Sequence, residues 1–150
     1  MHQRTDVRIL SSGEKHVLDN VAPGVFDRHI DPGATREFLA DRRHHLAVAL
    51  DGDLVVGFAS GVHYLHPDKP RPELWINEIG VAPTHRRRRI GRRLLEALLA
   101  EGRAVGCTEA WVLAEAGNEA ASSLYAASGG EASSARSVMF SFPLDPPEAP

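Results

Sequence analysis

The stretch "ELWINEIGVAPTHRRRRIGRRLLEALLAEGRAVGCTEAWVLAE", residues 73–115, constrains the fold more than any other. Its first ten residues, with Leu74, Trp75, Ile76, Ile79 and Val81 among them, are stopped by Pro83, which reads as a strand over 73–82. From Ile90 onward Leu94, Leu95, Leu98 and Leu99 fall at helical spacing with Arg92, Arg93, Glu96 and Glu101 between them, so the spacing predicts an amphipathic helix to about Val105. Residues 109–115 read as a further strand. A strand, a helix and a strand in that order make parallel neighbours joined by a right-handed crossover. Sheets built this way place ligands at the carboxyl ends of their strands.

The flanking sequence fills out a mixed α/β arrangement. "VRIL" (7–10) reads as a first strand, "GEKHVLDNV" (13–21) as a helix, and "ATREFLADR" (34–42) as a second helix after the start signal Asp31-Pro32-Gly33. "HLAVAL" (45–50) and "LVVGFASGVHYL" (54–65) are strands joined by the turn Asp51-Gly52-Asp53. "HPDKPRP" (66–72), with three prolines, reads as a loop. "NEAASSLYAAS" (118–128) reads as a helix and "SVMFSF" (137–142) as a last strand. The expectation is one domain over 1–142, with a mixed central sheet of about six strands, helices on both faces and a Pro-rich tail at 143–150.

Between the strand and the long helix lies "HRRRRIGRR" (85–93), with six arginines in a chain whose net charge is −3. Without those six, 11 cations face 20 acids, a net of −9, so an acidic body carries one basic spot. Nucleic-acid binders spread basic charge over a face, and this concentration argues against that class. The spot coincides with a helix start, where unpartnered N–H groups and the helix dipole already favour an anion. Guanidiniums crowded there repel one another unless something polyanionic binds; the competing reading is arginines fanned into solvent. No stretch approaches the roughly 20 apolar residues of a membrane span and no leader pattern is visible, which gives an expectation of a cytoplasmic protein. The lone Cys107 excludes an internal disulfide and a Cys-rich metal site. His44 and His45, adjacent and on opposite faces of a strand, read as solvated residues rather than metal ligands, so no metal is expected.

"ELWINEIGVAPTHRRRRIGRRLLEALL" resembles the acetyl-CoA motif of the GNAT superfamily of N-acetyltransferases, which is Arg or Gln, two residues, Gly, one residue, then Gly or Ala. The matching positions are Arg86, Arg89 and Gly91, with Arg89 standing where the pattern has glycine. "NEAASSLY" (118–125), followed by Gly129-Gly130, is similar to the superfamily's other motif, an Asn opening a helix that carries a Leu-Tyr pair. The resemblance implies a GNAT fold with a bulged central strand, and Gly80 fits a bulge or a close backbone approach there. It also implies acetyl-CoA as cofactor, held by the backbones of Ile79 and Val81 and by Arg86, Arg87, Arg88, Arg89, Ile90, Gly91 and Arg92. Asn118 is placed either as a cofactor ligand or as a helix cap.

Acetyl transfer to an amine needs a neutral amine, stabilisation of a developing oxyanion and a proton for the departing thiolate. An alkyl amine with a pKa near 10.4 is only about one part in a thousand neutral near pH 7.4, which costs roughly 4 kcal/mol unless a base removes the proton. The resemblance makes Glu78 the candidate base and Tyr125 the candidate acid, against the plainer readings of a polar pair and a packed aromatic. No enzyme nucleophile is required, so Cys107 reads as a packed residue. Within the superfamily residues 38–142 look like the aminoglycoside 3-N-acetyltransferase type I group. Asn118 and Glu119 stand where that group has aspartates, and Glu78 also replaces an aspartate. Tyr64, His66, Glu115 and Glu119 are the candidates for binding a small cationic amine. Open alternatives are transfer to another small amine, an amino acid or a peptide, and a non-catalytic CoA-binding module. A homodimer is expected from the superfamily, with 137–142 as a possible pairing edge.

Overall fold

A computed structural model describes residues 4–115, 117–133 and 138–145. Five strands form one sheet in the order β1 (Asp6–Ile9), β2 (His44–Asp51), β3 (Leu54–His66), β4 (Lys69–Val81) and β5 (Glu109–Val112). The first four are antiparallel to their neighbours, and β4 and β5 are parallel, from Glu73 opposite Glu109 to Ile76 opposite Val112. The helix between those two strands is α2 (Ile90–Ala104), so the strand, helix, strand unit stands as the sequence requires.

Alternation along β3 decides which layer packs where. Gly57 and Gly61 face α2: a Cβ on Gly57 would lie 3.0 Å from Leu94 Cδ1, and one on Gly61 3.3 Å from Leu98 Cδ2. Bare backbone at these two points lets the helix settle onto the strand and bury Ile90, Leu94, Leu95 and Leu98. Each of the leucines contributes about 1.5–3 kcal/mol by leaving water. Phe58 and Ser60 therefore face the opposite layer, which holds α1 (Pro32–Ala40) and a single 3-10 turn over Lys15–Asp19. Asp31 starts α1 by accepting the Ala34 N–H at 2.9 Å, with Pro32 as the first helical residue. Helices thus cover both faces, and the last, α3 (Glu119–Ala127), sets Leu124 against Gly91 at the start of α2.

Four expectations change. The helix read over 13–21 is only the 3-10 turn, because it presents few apolar residues and Gly13, at φ 91°, breaks its start. The proline loop over 66–72 is a hairpin: β3 runs to His66 and β4 starts at Lys69. Pro70 and Pro72 are tolerated because β4 precedes its register with β5 there and its ladder with β3 is irregular between Tyr64 and His66. The sheet has five strands among the described residues rather than about six. Of the last strand read over 137–142, Ser137 lies outside the described residues, and Val138–Phe142 pairs with no strand among the described residues, leaving Val138, Met139, Phe140 and Phe142 each more than 70% exposed. His45 is not solvated: it is 5% exposed under α2, with Nε2 2.7 Å from His63 Nδ1, and burial holds its pKa below the usual histidine value.

Candidate active site

β4 carries an extra residue, Asn77, where the register steps from Ser60 opposite Glu78 to Gly61 opposite Ile76. This bulge reorients the strand just where β5 leaves it, since their pairing stops at Ile76 and Val112. From Asn77 to Val81 the β5-side edge of β4 has no strand partner among the described residues, and Ile79 and Val81 lie on that open run. Gly80 does not make the bulge. A Cβ there would strike the Val25 carbonyl oxygen and lie 2.8 Å from the Phe58 ring, so this glycine answers a close approach.

β4 feeds the arginine loop through a second 3-10 turn, Pro83–His85. His85 fixes that turn: its Nε2 lies 2.8 Å from Asp51 Oδ2 in the β2–β3 hairpin, and its Nδ1 2.8 Å from Thr84 Oγ1. Arg87 (φ 63°) and Arg89 (φ 59°) then take left-handed backbone conformations. These are the positive-φ residues other than glycine among those described, and each such residue costs roughly 1–2 kcal/mol. Arg89 adopts the conformation for which the motif would use glycine. The start of α2 that follows has no side-chain cap and no acid in its first turn. Arg86, Arg87, Arg88 and Arg89 are all exposed, and none has a carboxylate partner among the described residues.

The other two arginines of the run are occupied. Arg92 bonds Glu96 at 3.1 Å, one turn on, and Arg93 donates to the Thr5 carbonyl at 2.7 Å, tying α2 to the chain before β1. Ile90 is 2% exposed, so its side chain belongs to the core and only its backbone N–H is left for an anion. Gly91 meets Leu124 and Val81, which brings α3 against both the loop and the end of β4. Asn118 caps α3, its side-chain oxygen accepting the Ala121 N–H at 3.1 Å. Tyr125 is half-buried against the core, and that burial raises its phenol pKa, so the proton stays on at neutral pH.

Glu78 is exposed at the mouth of a cavity of about 210 Å³ on the sheet face away from α2, walled by Phe26, Ile30, Phe38, Leu46 and Phe58. These five were not read from the sequence as site residues: Phe26, Ile30 and Phe38 are scattered among the acids of 26–41, and Leu46 and Phe58 read only as strand residues. Tyr64 and His66 lie elsewhere, at the amino end of β4. There Glu73 takes His66 at 2.8 Å, Lys69 at 3.0 Å and the Tyr64 hydroxyl at 3.3 Å, and Trp111 donates to Tyr64. Their partners on β3, Tyr64 and Ser60, are four residues apart, so at about 3.3 Å per residue Glu73 lies roughly 13 Å along the strand from Glu78. Glu115 and Glu119 are exposed beyond the other end of β5. Cys107 lines a separate recess of about 140 Å³ beside the end of α2, and burial raises its thiol pKa, as for a packed residue. Among the described residues no cluster of His, Cys, Asp and Glu is placed to hold a metal ion, and no helix is long and apolar enough to cross a membrane.

A bulged strand that parts from its parallel neighbour and runs into a basic loop and bare helix start defines an acyltransferase-type fold, with a row of exposed arginines at one end and a carboxylate in mid-strand. The chain belongs to the acetyltransferase (GNAT) family, whose model matches residues 17–129, and by that membership it is an acyltransferase. Among solved structures it is similar to the aminoglycoside acetyltransferase HMB0005 from an uncultured soil metagenomic sample (TM-score 0.79, 24% identity, covering 95% of this chain and 100% of that one). It is also similar to AAC(6')-Iy in complex with a bisubstrate analogue built on CoA (TM-score 0.75, 19% identity, 94% and 99%). A ribosomal-protein-alanine N-acetyltransferase from Brucella melitensis biovar Abortus 2308 shares the fold at TM-score 0.70 and 20% identity, over 93% and 100%. No match is found among curated proteins.

Proposed function

We propose that the chain is an acetyl-CoA-dependent N-acetyltransferase that acts on the primary amine of a small acceptor by direct attack in a ternary complex. One observation carries the reading: four guanidiniums with no carboxylate partner among the described residues and two left-handed residues stand at an uncapped helix start, beside the open edge of a bulged strand that bears Glu78. Coenzyme A has a pyrophosphate and a 3′-phosphate, and this donor set fits both. Arg86–Arg89 and the N–H groups of Ile90, Gly91 and Arg92 would hold the phosphates, and the open edge at Ile79 and Val81 would hold the amide-bearing arm. Asn118 is the weaker ligand, its oxygen being used in the cap. When bound, acetyl-CoA supplies the activated acyl group.

The chain's own residues handle protons. Glu78, exposed at the cavity mouth, accepts the ammonium proton directly or through water. Tyr125, kept protonated by burial, holds at Oη the proton that a leaving thiolate needs. The test is thiol release from acetyl-CoA across a panel of amines, with Glu78→Gln and Tyr125→Phe beside the wild type. Turnover on an amine, reduced in both variants, supports the reading; CoA binding without turnover on any amine leaves a binding module.

The likeness to aminoglycoside acetyltransferases supports an aminoglycoside as acceptor. Acetylation at the 3-N position draws on the sequence resemblance alone, because the similar structure whose name carries a position carries 6′. Tyr64 and His66 enter this reading only as positioning groups, being engaged with Glu73. Glu115 and Glu119 remain exposed carboxylates for a large cation. A homodimer is supported by Val138, Phe140, Phe142 and Leu144, an alternating apolar row 75–93% exposed, and by the open edge of β5. Sedimentation of the wild type and of Phe140→Lys tests it, with a shift toward monomer expected.

A further inference from the structure

The acceptor cavity at Glu78 has the wrong chemistry for a polycation. Ten residues line it, of which seven are apolar; its polar side chains are Thr35, Ser60 and Glu78. Thr35 is already engaged, donating to the Asp31 carbonyl at 2.8 Å, and the nearby Asp31 carboxylate caps α1. Glu78 is therefore the single charged group of the lining among the described residues. Opposite it, Phe26 and Phe58 stack with ring centroids 4.0 Å apart, and Ile30 and Phe38 close the wall from the loop and from α1. An aminoglycoside brings several ammonium groups and many hydroxyls, of which Glu78 and Ser60 can meet only one or two; the others lose water on entry without a partner in this lining.

Size gives the same answer. An apolar cavity of roughly 150 Å³ lined by Leu, Ile and Phe holds one benzene ring, whereas drug-sized ligands occupy about 300–1,000 Å³. At about 210 Å³ this cavity admits one ring with a short arm. We infer that the acceptor is a compact monoamine: one ammonium group met by Glu78, on an arm of about two carbons that carries an aromatic or branched aliphatic body packed against Phe26, Ile30 and Phe38. This inference rests on the acetyltransferase reading and, within it, puts a compact monoamine in place of the aminoglycoside as acceptor. The acyl carbon leaves sulfur for the amine nitrogen; the ammonium nitrogen gives up two protons, the first to Glu78 before attack and the second as the amide forms, and the departing sulfur takes one proton from Tyr125 Oη, which the second proton restores, so that it leaves as a thiol and one proton is released in all. Losing the first proton turns the acceptor nitrogen neutral beside an apolar wall, so the wall favours the reactive form.

The experiment compares 2-phenylethylamine, sisomicin and ethanolamine as acceptors by thiol release, and measures calorimetric binding of 2-phenylethylamine to the CoA-bound protein. Wild type is set against Phe38→Ala and, should that variant unfold, Ile30→Ala in the loop. The expected result is kcat/KM for 2-phenylethylamine at least tenfold above both other amines, and a loss of about tenfold in either variant, carried mainly by KM. Preference for sisomicin would overturn the inference and leave the acetyltransferase reading standing. Binding of 2-phenylethylamine that weakens in both variants, with no amine turned over, would keep the cavity's specificity and overturn the acetyltransferase reading. If 2-phenylethylamine is neither bound nor turned over, the inference is overturned, whatever the other amines do.

Discussion

The two ends of β4 treat charge in opposite ways. At the amino end Glu73 is met by His66, Lys69 and Tyr64, and Trp111 donates to that same tyrosine and stacks on Trp75 with ring centroids 5.3 Å apart. At the carboxyl end four arginines stand in a row with no carboxylate beside them among the described residues, on a backbone that takes two left-handed residues to shape. Charges that close on one another within the chain leave nothing to offer a ligand, and they hold the hairpin. Charges left open against a helix dipole destabilise the free protein slightly and are stabilised only by something from outside.

The largest effect expected from this contrast is on turnover. Glu78→Gln keeps the shape of the mid-strand carboxylate and removes its proton acceptor, so kcat should fall by about 10²–10⁴ at neutral pH while KM for acetyl-CoA stays near wild type. Steady-state thiol release at several pH values measures it, and a variant as active as wild type would remove Glu78 from the chemistry. Next in size is replacement of Arg86, Arg87, Arg88 and Arg89 together by serine. KM for acetyl-CoA should rise by about 100-fold and the wild type's dependence on salt should flatten, with Tm unchanged or higher. A lower Tm with unchanged KM would reverse the contrast and make the run a structural element.

The amino end should respond in stability and not in catalysis. The hydrogen bond from His66, with that from Lys69, pulls the Glu73 carboxyl down to about 2, against an ordinary 4.5. On acidification the unfolded chain takes up that proton first. The stabilisation is therefore whole above about pH 4.5 and drains away as pH falls toward about 2. Glu73→Gln should lower Tm at neutral pH and lose part of the fall in Tm over that window, with KM for acetyl-CoA unchanged. Thermal melts from pH 2 to 7 make the comparison, and an equally steep acid limb in the variant would place the pH dependence on other carboxylates.

How much of this was legible depends on whether the signal is local. The unit from β4 through α2 to β5 announces itself because leucine spacing, Pro83 and the arginine run all lie in 43 consecutive residues. The same holds for Asn118 and Tyr125, which share one short helix. The cavity was not legible: Phe26 is in a loop, Phe38 in α1, Leu46 in β2 and Phe58 in β3, and only the tertiary fold brings them to Glu78. The bulge was expected near Gly80 and sits at Asn77, because glycine marks a close approach as readily as a bulge. Residues 138–142 show why alternation alone misleads. Val138, Phe140 and Phe142 have the period of a strand, but a strand exists only where a neighbour supplies the other half of the ladder.

The smallest effect concerns Arg89, and its sign separates shape from charge within the arginine loop. Its φ of 59° costs about 1–2 kcal/mol in any residue with a Cβ. Arg89→Gly relieves that cost and removes one like charge from the helix start, while glycine adds about 0.5–1 kcal/mol of conformational entropy to be lost on folding. The balance is a gain of up to about 1 kcal/mol, or roughly 2–4 °C in Tm for a chain of this size. KM for acetyl-CoA should change by less than about threefold if the loop's contribution at this position is its backbone N–H, which glycine keeps. A rise of tenfold or more would assign the contribution to the guanidinium instead. The arginine would then be a phosphate ligand that outweighs the strain of standing where the motif has glycine.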